Sequence, residues 1–180
     1  IPGTHNIENY LAAIALVEGL ATDDAIRQVA RNFGGVEHRI ELVREKDGVR
    51  FYNDSIASSP SRTIAGLRSF PEKVILIAGG YDKHIPYDVL GPEICRHVKK
   101  LYLGGATGPK IRAAVEAAPE YKPGFPEITD CRDFTEAVYA AAAGAKAGDV
   151  VLMSPASAAF DQFKNFMVRG EYFKKLVKEL

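Results

Sequence analysis

Short apolar runs alternate with stretches of helical spacing from residue 74 to residue 180. The run 74–78 is apolar at every position and ends in Gly79-Gly80, a pattern typical of a strand buried on both faces of a sheet. Further strands are predicted at 101–103, near Ile128 and at 150–153. Helices are predicted at 89–98, 107–118, 133–143 and 170–180. This alternation predicts an α/β fold, with a parallel sheet covered by helices on both faces.

The segment before residue 74 has a different pattern. Two segments, 39–44 and 49–54, flank Lys46-Asp47-Gly48, which is a turn sequence typical of a β-hairpin. Ser59-Pro60 then predicts the start of a helix, because serine caps helices and proline is favoured at the first helical position. We therefore expect a hairpin and a helix ahead of the alternating region.

Residues 1–35 have the pattern of two amphipathic helices. Asn6 and Thr22 are the expected caps, and Gly34-Gly35 ends the second helix. Two such helices cannot enclose a core alone, so we expect them to pack on protein outside this sequence. The start without methionine strengthens the expectation of a fragment. We therefore divide the chain into residues 1–35, the end of one domain, and residues 36–180, a second domain.

Composition narrows the classes of function. Lys+Arg and Asp+Glu both number 23 among 180 residues, and this balance gives no support for binding nucleic acid or an anionic membrane. No run of about 18 apolar residues occurs, so we expect no transmembrane helix. The two cysteines lack CxxC spacing and fit a reduced, cytoplasmic protein. The four histidines are scattered, and we expect no metal site in this chain.

Three segments after predicted strands carry candidate chemistry, because ligands of parallel sheets bind at the carboxyl ends of the strands. The first, 53–59, holds small polar groups and one carboxylate ahead of a helix amino terminus, where anions are favoured. The second, 79–83, pairs glycines with a lysine, and the third, 154–166, is rich in phenylalanine. From these residues alone, an ordinary turn and a surface lysine are the favoured explanations of the first two segments, and core aromatics explain the third as well as a site does. The sequence contains neither a GxxxxGK[ST] phosphate loop nor a recognisable nucleophile set.

Five motifs occur in order along nearly the whole chain. They are His5-Asn6-x-x-Asn9, Gly35-x-x-His38-Arg39-x-Glu41, Asn53-Asp54-Ser55, the 79–83 loop, and Ser154-Pro155-Ala156 followed by Asp161-Gln162-Phe163-Lys164-Asn165-Phe166. In this order they resemble the Mur ligase family. The DQFKNF run is the most specific and points to members that add D-glutamate, whereas the first two motifs are shared with folylpolyglutamate ligases. The resemblance implies that residues 1–35 end a central ATP-binding domain and residues 36–180 form a Rossmann-like carboxy-terminal domain.

The resemblance implies ATP-dependent amide ligation in peptidoglycan precursor synthesis. ATP would phosphorylate the alanyl carboxylate of UDP-N-acetylmuramoyl-L-alanine, and the amine of D-glutamate would attack the acyl phosphate. The phosphate loop and the Mg²⁺ ligands would lie outside this sequence, so no catalytic set is complete here and we expect the chain alone to be inactive. Its partners would be these small molecules and the missing amino-terminal and central domains, with neither nucleic acid nor a membrane.

Motif matching assigns roles to two groups of residues. The expected D-glutamate contacts are Lys83, Ser58, Ala159, Phe160 and Phe166. The expected nucleotide contacts are Asn6, Asn9, Arg39 and Asp54. Two positions depart from the family pattern: Ile56 stands where lysine is frequent, and Ala159 stands where a serine hydroxyl often faces the amino acid. These departures put one nucleotide contact and one side-chain contact in question.

Alternatives stay open at this point. A Mur ligase that adds a later amino acid, or a folylpolyglutamate synthase, shares several of the motifs, and a non-catalytic nucleotide-binding module would share the fold. An upstream GxxGK[ST] phosphate loop would separate a ligase from a binding module. A survey of amino-acid substrates would separate the ligases from one another.

Overall fold

The computed structural model describes residues 4–180 of the chain. Within them lie six strands, namely β1 Glu41–Lys46, β2 Val49–Asn53, β3 Val74–Gly79, β4 Val98–Gly104, β5 Glu127–Asp130 and β6 Val150–Met153. The same residues form seven helices, namely α1 Thr4–Leu16, α2 Asp23–Asn32, α3 Pro60–Leu67, α4 Leu90–His97, α5 Gly108–Glu116, α6 Phe134–Ala143 and α7 Phe166–Glu179. The predicted order of a helical pair, a hairpin and alternating strands and helices is confirmed.

The strands form one sheet in the order β1-β2-β6-β3-β4-β5. β2, β6, β3, β4 and β5 are parallel, and β1 is an antiparallel edge strand that completes the predicted hairpin. Met153 pairs with Asn53 on one side and with Ile77 on the other, while Gly79 pairs with Gly104. Because these registers align the strand ends, the loops after β2, β6, β3 and β4 leave from the same edge of the sheet.

The core consists of two apolar layers, one on each face of the sheet. Alternate residues of β3 point to opposite faces, so Leu76 packs with α3, α4 and α5, whereas Ile75 packs with α6 and α7. On the second face, Phe173 of α7 is fully buried. Helices on both faces explain why the central strands are apolar along their whole length, and the α/β prediction is confirmed.

Two helix starts differ from the predictions. α7 begins at Phe166 instead of residue 170, because the Asn165 side chain accepts a hydrogen bond from the N–H of Val168 (2.9 Å) and caps the helix four residues earlier. α1 begins at Thr4, so Asn6 lies inside the helix and is not its cap. The predicted Thr22 cap of α2 is confirmed by a bond from the N–H of Ala25 (3.3 Å).

α1 and α2 contribute little to the core of the sheet domain. Every residue of α2 is exposed or half-buried, and large apolar side chains of α1 face solvent, with Leu11 62% exposed. Tyr10 meets Phe33 edge to face at 6.3 Å, so the two helices contact one another. None of the helices described within residues 4–180 is long and apolar enough to cross a bilayer.

Candidate functional site

Three loops at the carboxyl edge of the sheet hold the residues predicted to bind the amino acid. Loop A (residues 54–59) follows β2, loop B (residues 80–83) follows β3, and loop C (residues 154–165) follows β6. The predicted D-glutamate contacts on these loops and the adjoining start of α7 differ in exposure. Lys83 and Phe160 are exposed, Ser58 and Phe166 are half-buried, and Ala159 is buried.

Loop A and loop C are joined by the buried side chain of Arg169. Its Nε and Nη2 donate to the hydroxyl and the carbonyl of Ser55, both at 3.0 Å. Its Nη2 also donates to Ser157 O (3.0 Å), and its Nη1 donates to Ala158 O (3.1 Å). Burial lowers the pKa of Arg169 to about 10, an effect that the charge of Asp161 opposes. Arg169 is therefore a cation at neutral pH, with four hydrogen bonds across two loops.

Loop B is joined to loop C through its backbone. The N–H of Tyr81 donates to Ala158 O at 2.9 Å, in an isolated antiparallel bridge. Gly80 has a φ of +148°, and a Cβ there would overlap the same carbonyl, so glycine is needed for this approach. The rings of Tyr81 and Phe160 also meet edge to face at 5.9 Å. Two of the predicted D-glutamate contacts, Lys83 and Phe160, are thus carried by loops that contact one another.

Three buried hydroxyls extend the connection to the loop after β4. Ser157 Oγ lies 2.9 Å from Tyr87 OH and 2.7 Å from Thr107 Oγ1. The N–H of Thr107 donates to Gly80 O at 3.1 Å. The hydroxyls satisfy one another inside the protein, so this cluster positions the loops and does not form an exposed nucleophile.

Asp54, predicted to contact nucleotide, is buried at the base of loop A. Its Oδ2 accepts from Ser154 Oγ (2.7 Å) and its Oδ1 accepts from the N–H of Ile40 (3.3 Å). Burial raises the pKa of Asp54 to about 7, while these hydrogen bonds and the charges of Arg39 and Arg62 act in the opposite direction. With an exposure of 3%, the carboxyl is committed to contacts within the protein.

A strained turn presents Arg39 to solvent. The residues on either side, His38 and Ile40, both have positive φ, at 64° and 47°. Positive φ is unfavourable for a β-branched residue such as isoleucine, so contacts with neighbouring residues must hold the turn in this conformation. Asp54 accepts from the N–H of Ile40, and the carbonyl of His38 accepts from the N–H of Ile56 (3.2 Å). The buried carboxyl of Asp54 therefore supports the turn that exposes Arg39.

The side chain of His38 is fixed by its neighbours. Asn53 Oδ1 accepts from the N–H of Ser55 (3.1 Å), so Asn53 Nδ2 is the donor to both Glu41 Oε2 (3.0 Å) and His38 Nδ1 (2.9 Å). His38 Nδ1 must then accept, which places the ring proton on Nε2, 3.9 Å from Glu171 Oε1. His38 serves as a packed and oriented part of the turn.

The first three predicted nucleotide contacts line one groove. Asn6, Asn9 and Arg39 lie along a groove of about 700 Å³ between α1, α2 and the Arg39 turn, with apolar side chains such as Ile26 and Val29 completing its walls. Asp54, buried behind Ile40, is not among the lining residues of this groove. The structure thus brings three of the four residues together and separates the fourth.

Glu37, His38 and Glu171 form an acidic cluster with ligand atoms within 4.8 Å of one another. Lys174 Nζ lies 2.6 Å from Glu37, 3.1 Å from Glu171 and 3.1 Å from Glu41. Desolvation is the largest single effect and lowers the pKa of Lys174, but the three carboxylates together outweigh it and raise the pKa. The ammonium group occupies the position that a cation would need, so the cluster does not fit a divalent metal.

Sequence reasoning missed Arg169, Ser55 and Thr107. Arg169 was placed before the last predicted helix, where a charged residue is expected to face solvent. The Asn165 cap was the available signal, because a helix beginning there puts Arg169 on the same stripe as Phe173 and Leu176. Ser55 belongs to the Asn53-Asp54-Ser55 motif and Thr107 to a predicted helix start, but neither pattern indicated their contacts, since their partners are remote in sequence.

Comparison with known proteins adds the family. The model of the Mur ligase glutamate ligase domain matches residues 38–157, well over half of the chain. The chain belongs to the Mur ligase family. It is 58% identical to a UDP-N-acetylmuramoylalanine–D-glutamate ligase of Acetivibrio thermocellus over 182 residues, and 51% identical to that of Clostridium beijerinckii over 180 residues. Both alignments cover 100% of this chain but 39% of the relative, so the chain spans about two-fifths of their length.

Solved structures share the fold at low sequence identity. A Mycobacterium tuberculosis folylpolyglutamate synthase complexed with ADP aligns with a TM-score of 0.66 at 17% identity, covering 98% of this chain and 41% of that one. A pseudomurein peptide ligase type C from Methanothermus fervidus aligns with a TM-score of 0.64 at 18% identity, covering 98% and 36%. The fold is therefore shared with ligases named for different substrates, so the fold alone does not identify a substrate.

Proposed function

We propose that this chain is the carboxy-terminal part of an ATP-dependent ligase that adds D-glutamate to UDP-N-acetylmuramoyl-L-alanine, in the cytoplasmic synthesis of peptidoglycan precursors. The observation that carries the proposal is the linkage of loops A, B and C at the carboxyl edge of the sheet, which gathers the loops bearing the predicted D-glutamate contacts. The similarity to relatives named as D-glutamate ligases supports the choice of amino acid.

The reaction joins a carboxylate to an amine through an acyl phosphate. A carboxylate oxygen of the alanyl group attacks the γ-phosphorus of ATP and releases ADP. The amine nitrogen of D-glutamate then attacks the carbonyl carbon, the carbon–oxygen bond to phosphate breaks, and inorganic phosphate leaves as the nitrogen loses a proton. Such chemistry depends mainly on positioning and on stabilising charge, so a domain that orients one reactant makes a large contribution to it.

Within this reaction the carboxyl-edge loops would hold D-glutamate. Lys83 is exposed, and the neighbouring carboxylate, Asp82, is engaged by Lys110 Nζ (2.5 Å) and by the N–H of His84 (2.8 Å). A carboxylate of D-glutamate would therefore find Lys83 without displacing Asp82. Ser58 would offer a hydroxyl, whereas Phe160 and Phe166 would contribute backbone or packing contacts. Ala159 is buried, and the serine hydroxyl frequent at this position in the family is missing.

ATP would meet the chain at the groove lined by Asn6, Asn9 and Arg39. The amides of the two asparagines suit the polar edge of adenine, and the guanidinium of Arg39 suits phosphate oxygens. Asp54, which lies outside the groove, would contribute indirectly by fixing the Arg39 turn. Lys174 fills the cluster of Glu37, His38 and Glu171, so we propose that the Mg²⁺ ligands lie in the part of the protein outside this sequence. We propose the same for the phosphate loop, because this sequence contains no GxxxxGK[ST] motif.

The domain division follows the same proposal. Residues 1–35 would be the end of the central ATP-binding domain, because the apolar faces of α1 and α2 are left exposed by the rest of the chain. Residues 36–180 would be the amino-acid-binding domain. We propose partners limited to the substrates and to the remaining domains of the enzyme, without nucleic acid or a membrane.

An amino-acid survey on the full-length protein tests the proposal. Phosphate release would be measured with UDP-N-acetylmuramoyl-L-alanine, ATP and, in turn, D-glutamate, L-glutamate, L-lysine and meso-diaminopimelate. We expect release with D-glutamate, and we expect none from the 180-residue chain alone. Activity with another amino acid would make the chain part of a different Mur ligase, and ATP binding without turnover would indicate a binding module. Turnover in a separate assay with a folate substrate and L-glutamate would make it part of a folylpolyglutamate synthase.

A further inference from the structure

Arg169 is a buried cation without a carboxylate among its hydrogen-bond partners in the described residues. It is 2% exposed, and its four hydrogen bonds all go to neutral oxygens, namely Ser55 Oγ and the carbonyls of Ser55, Ser157 and Ala158. Removing a charge from water is costly, and neutral oxygens offset that cost only in part. An apolar side chain would avoid this cost but would leave those oxygens without donors, so what arginine adds here is a set of directed hydrogen bonds.

The geometry of the guanidinium suits a connection between two loops. Its donors form a rigid, planar fork with fixed directions. Nε and one Nη hold both polar oxygens of Ser55 in loop A, while the two Nη atoms hold Ser157 O and Ala158 O in loop C. The loops leave adjacent strands, β2 and β6, but Ser55 and Arg169 are 114 residues apart in sequence. The fork therefore adds to the strand pairing and to the Asp54–Ser154 bond a second connection between two segments that are remote in sequence.

The connection reaches loop B through one atom. Ala158 O accepts from Arg169 Nη1 (3.1 Å) and also from the N–H of Tyr81 (2.9 Å). Ser55 Oγ, which accepts from Arg169 Nε, donates to Phe166 O (2.7 Å) at the start of α7. All the segments that carry proposed D-glutamate contacts are thus joined to Arg169 directly or through one intermediate residue.

We propose that Arg169 is a positioning residue for the amino-acid substrate, holding loops A and C, and loop B through Ala158, at the separation that lets Lys83, Ser58 and Phe160 act on one ligand. The inference rests on the proposed D-glutamate site. Arg169 does not touch the substrate. Its contribution comes from the shape of the fork and not from its charge alone, so lysine, which keeps the charge without the fork, does not replace it.

Kinetics of Arg169→Lys in the full-length enzyme test the proposal. A displacement of about 1 Å in a site of this kind can cost roughly 100-fold, so we expect the KM for D-glutamate to rise between about 10- and 100-fold. The KM for ATP should stay near the wild-type value. A purely structural role would reduce the amount of active enzyme and hence the apparent kcat, and would leave the KM for D-glutamate unchanged.

Arg44→Lys is the matched control. Arg44 in β1 also directs its guanidinium at backbone carbonyls, those of Val177 and Lys178, both at 2.9 Å, but it contacts the end of α7 and none of the three loops. We expect wild-type KM values for this variant. A D-glutamate KM that is unchanged in Arg169→Lys, or raised equally in Arg44→Lys, overturns the proposal.

Hydrogen exchange separates this inference from the proposed function. In the full-length Arg169→Lys protein, amides of loops A and C should exchange faster than in the wild type, while those of β3 and β4 keep their protection. If the wild-type protein has no D-glutamate activity but the loops loosen, the proposed function fails and the connection between the loops stands. Unchanged loop exchange overturns the connection whatever the activity.

If Arg169→Lys does not fold, a second variant still tests the proposal. Ser55→Ala removes one of the four acceptors and the bond to Phe166 O, and retains Arg169. We expect a smaller rise in the D-glutamate KM, again with an unchanged KM for ATP. A wild-type D-glutamate KM in Ser55→Ala would count against the positioning role.

Discussion

The buried carboxyl of Asp54 links stability to the presentation of Arg39. At the residue scale, a group buried for a structural purpose acquires an altered pKa, here raised to about 7 by burial. Two of its contacts, to Ile40 and Ser154, join the Arg39 turn to loop C. The same contacts explain why a carboxylate in a family motif lies behind the groove and not in it.

Asp54 should make stability depend on pH. The folded-state pKa lies above the ordinary value of 3.8, so the folded carboxyl keeps its proton over a pH range in which the unfolded one has lost it. Its contribution to stability is therefore fully present below pH 3.8, falls as the pH rises to about 7, and is constant above that. Between pH 5 and 8 we expect a loss of roughly 3 kcal/mol in the free energy of unfolding, and Asp54→Asn should abolish this part of the dependence. Urea unfolding of both proteins at several pH values measures it, and parallel curves would contradict the assignment.

Lys83 should be needed for the use of D-glutamate but not for the binding of ATP. A charge-assisted hydrogen bond contributes about 1.5–3 kcal/mol, which corresponds to a loss of roughly 10- to 150-fold in kcat/KM for D-glutamate in Lys83→Ala of the full-length enzyme. The KM for ATP should change little. Lys122→Ala, an exposed lysine in the segment before β5, is the control with expected wild-type kinetics. If Lys83→Ala keeps the wild-type D-glutamate KM, Lys83 is a solvated surface residue.

Substitution of Arg39 should lower the turnover number of the full-length enzyme. Its guanidinium lies in the groove with Asn6 and Asn9, so we expect Arg39→Ala to lower kcat of the full-length enzyme by about tenfold or more, as for loss of a charged hydrogen bond. Binding of the UDP-linked substrate should be weakened much less. The control is Arg27→Ala on α2, whose guanidinium is paired with Asp23 and Asp24. Unchanged turnover in Arg39→Ala would refute the role.

At the scale of elements, the first turn of α7 is the part that joins the site to the sheet. The helix starts at Phe166 because Asn165 caps it, and this start directs Arg169 into the loops and Gly170 against the His38 turn. A Cβ at Gly170 would overlap His38 Nδ1 and lie 2.8 Å from His38 Cε1. The missing side chain is therefore a condition for the close packing of α7 on the turn.

Gly170→Ala should destabilise the fold although alanine favours helices. Glycine to alanine inside a helix ordinarily stabilises by about 0.5–1 kcal/mol. Here the overlap with His38 should outweigh that gain and lower the free energy of unfolding by about 1–3 kcal/mol, as overpacking does. Gly108→Ala in α5 is the matched control, because its Cβ would have its nearest neighbour, Leu103 Cβ, at an ordinary 3.6 Å. Denaturant unfolding of the wild type, Gly170→Ala and Gly108→Ala measures these free energies. Equal stability of Gly170→Ala and the wild type would show that His38 can move aside.

At the scale of the whole molecule, the sheet with its two covered faces contrasts with the helical pair α1 and α2, whose apolar side chains are exposed. The sheet domain buries both layers of its core, whereas Leu16 and Leu20 of the α1 region are 80% and 85% exposed. Exposed apolar surface on this scale is characteristic of an interface. It agrees with the proposed docking of residues 1–35 onto the rest of an ATP-binding domain.

Deleting residues 1–35 should leave the sheet domain folded. Because the two apolar layers of the sheet are built from residues beyond position 38, we expect residues 36–180 to unfold in one cooperative transition with a Tm close to that of the 180-residue chain. Binding of a hydrophobic dye should decrease, since the exposed faces of α1 and α2 are removed. Thermal circular dichroism and dye fluorescence measure both effects. Loss of the cooperative transition would mean that the helical pair belongs to the sheet domain.

The amino-acid sequence by itself determined the layers and the edge of the sheet at which chemistry is gathered. Apolar runs such as 74–78 and helical spacing are local patterns, and they can be interpreted without knowing what lies across the fold. The hairpin turn at Lys46-Asp47-Gly48 and the Ser59-Pro60 helix start were likewise local signals. The alternation then placed loops A, B and C at one edge, because parallel strands end together.

Only the tertiary structure decided which polar residues of these loops are buried and which face a ligand. Asp54 and Ser154 are 100 residues apart in sequence, and Ser55 and Arg169 are 114 apart, so no local pattern predicts their contacts. Burial and pKa depend on what other segments place around a group, and a single cap at Asn165 moved Arg169 from the expected surface into the protein. Composition and spacing identify the residue types present in a site, whereas packing between distant segments determines which of them point into it.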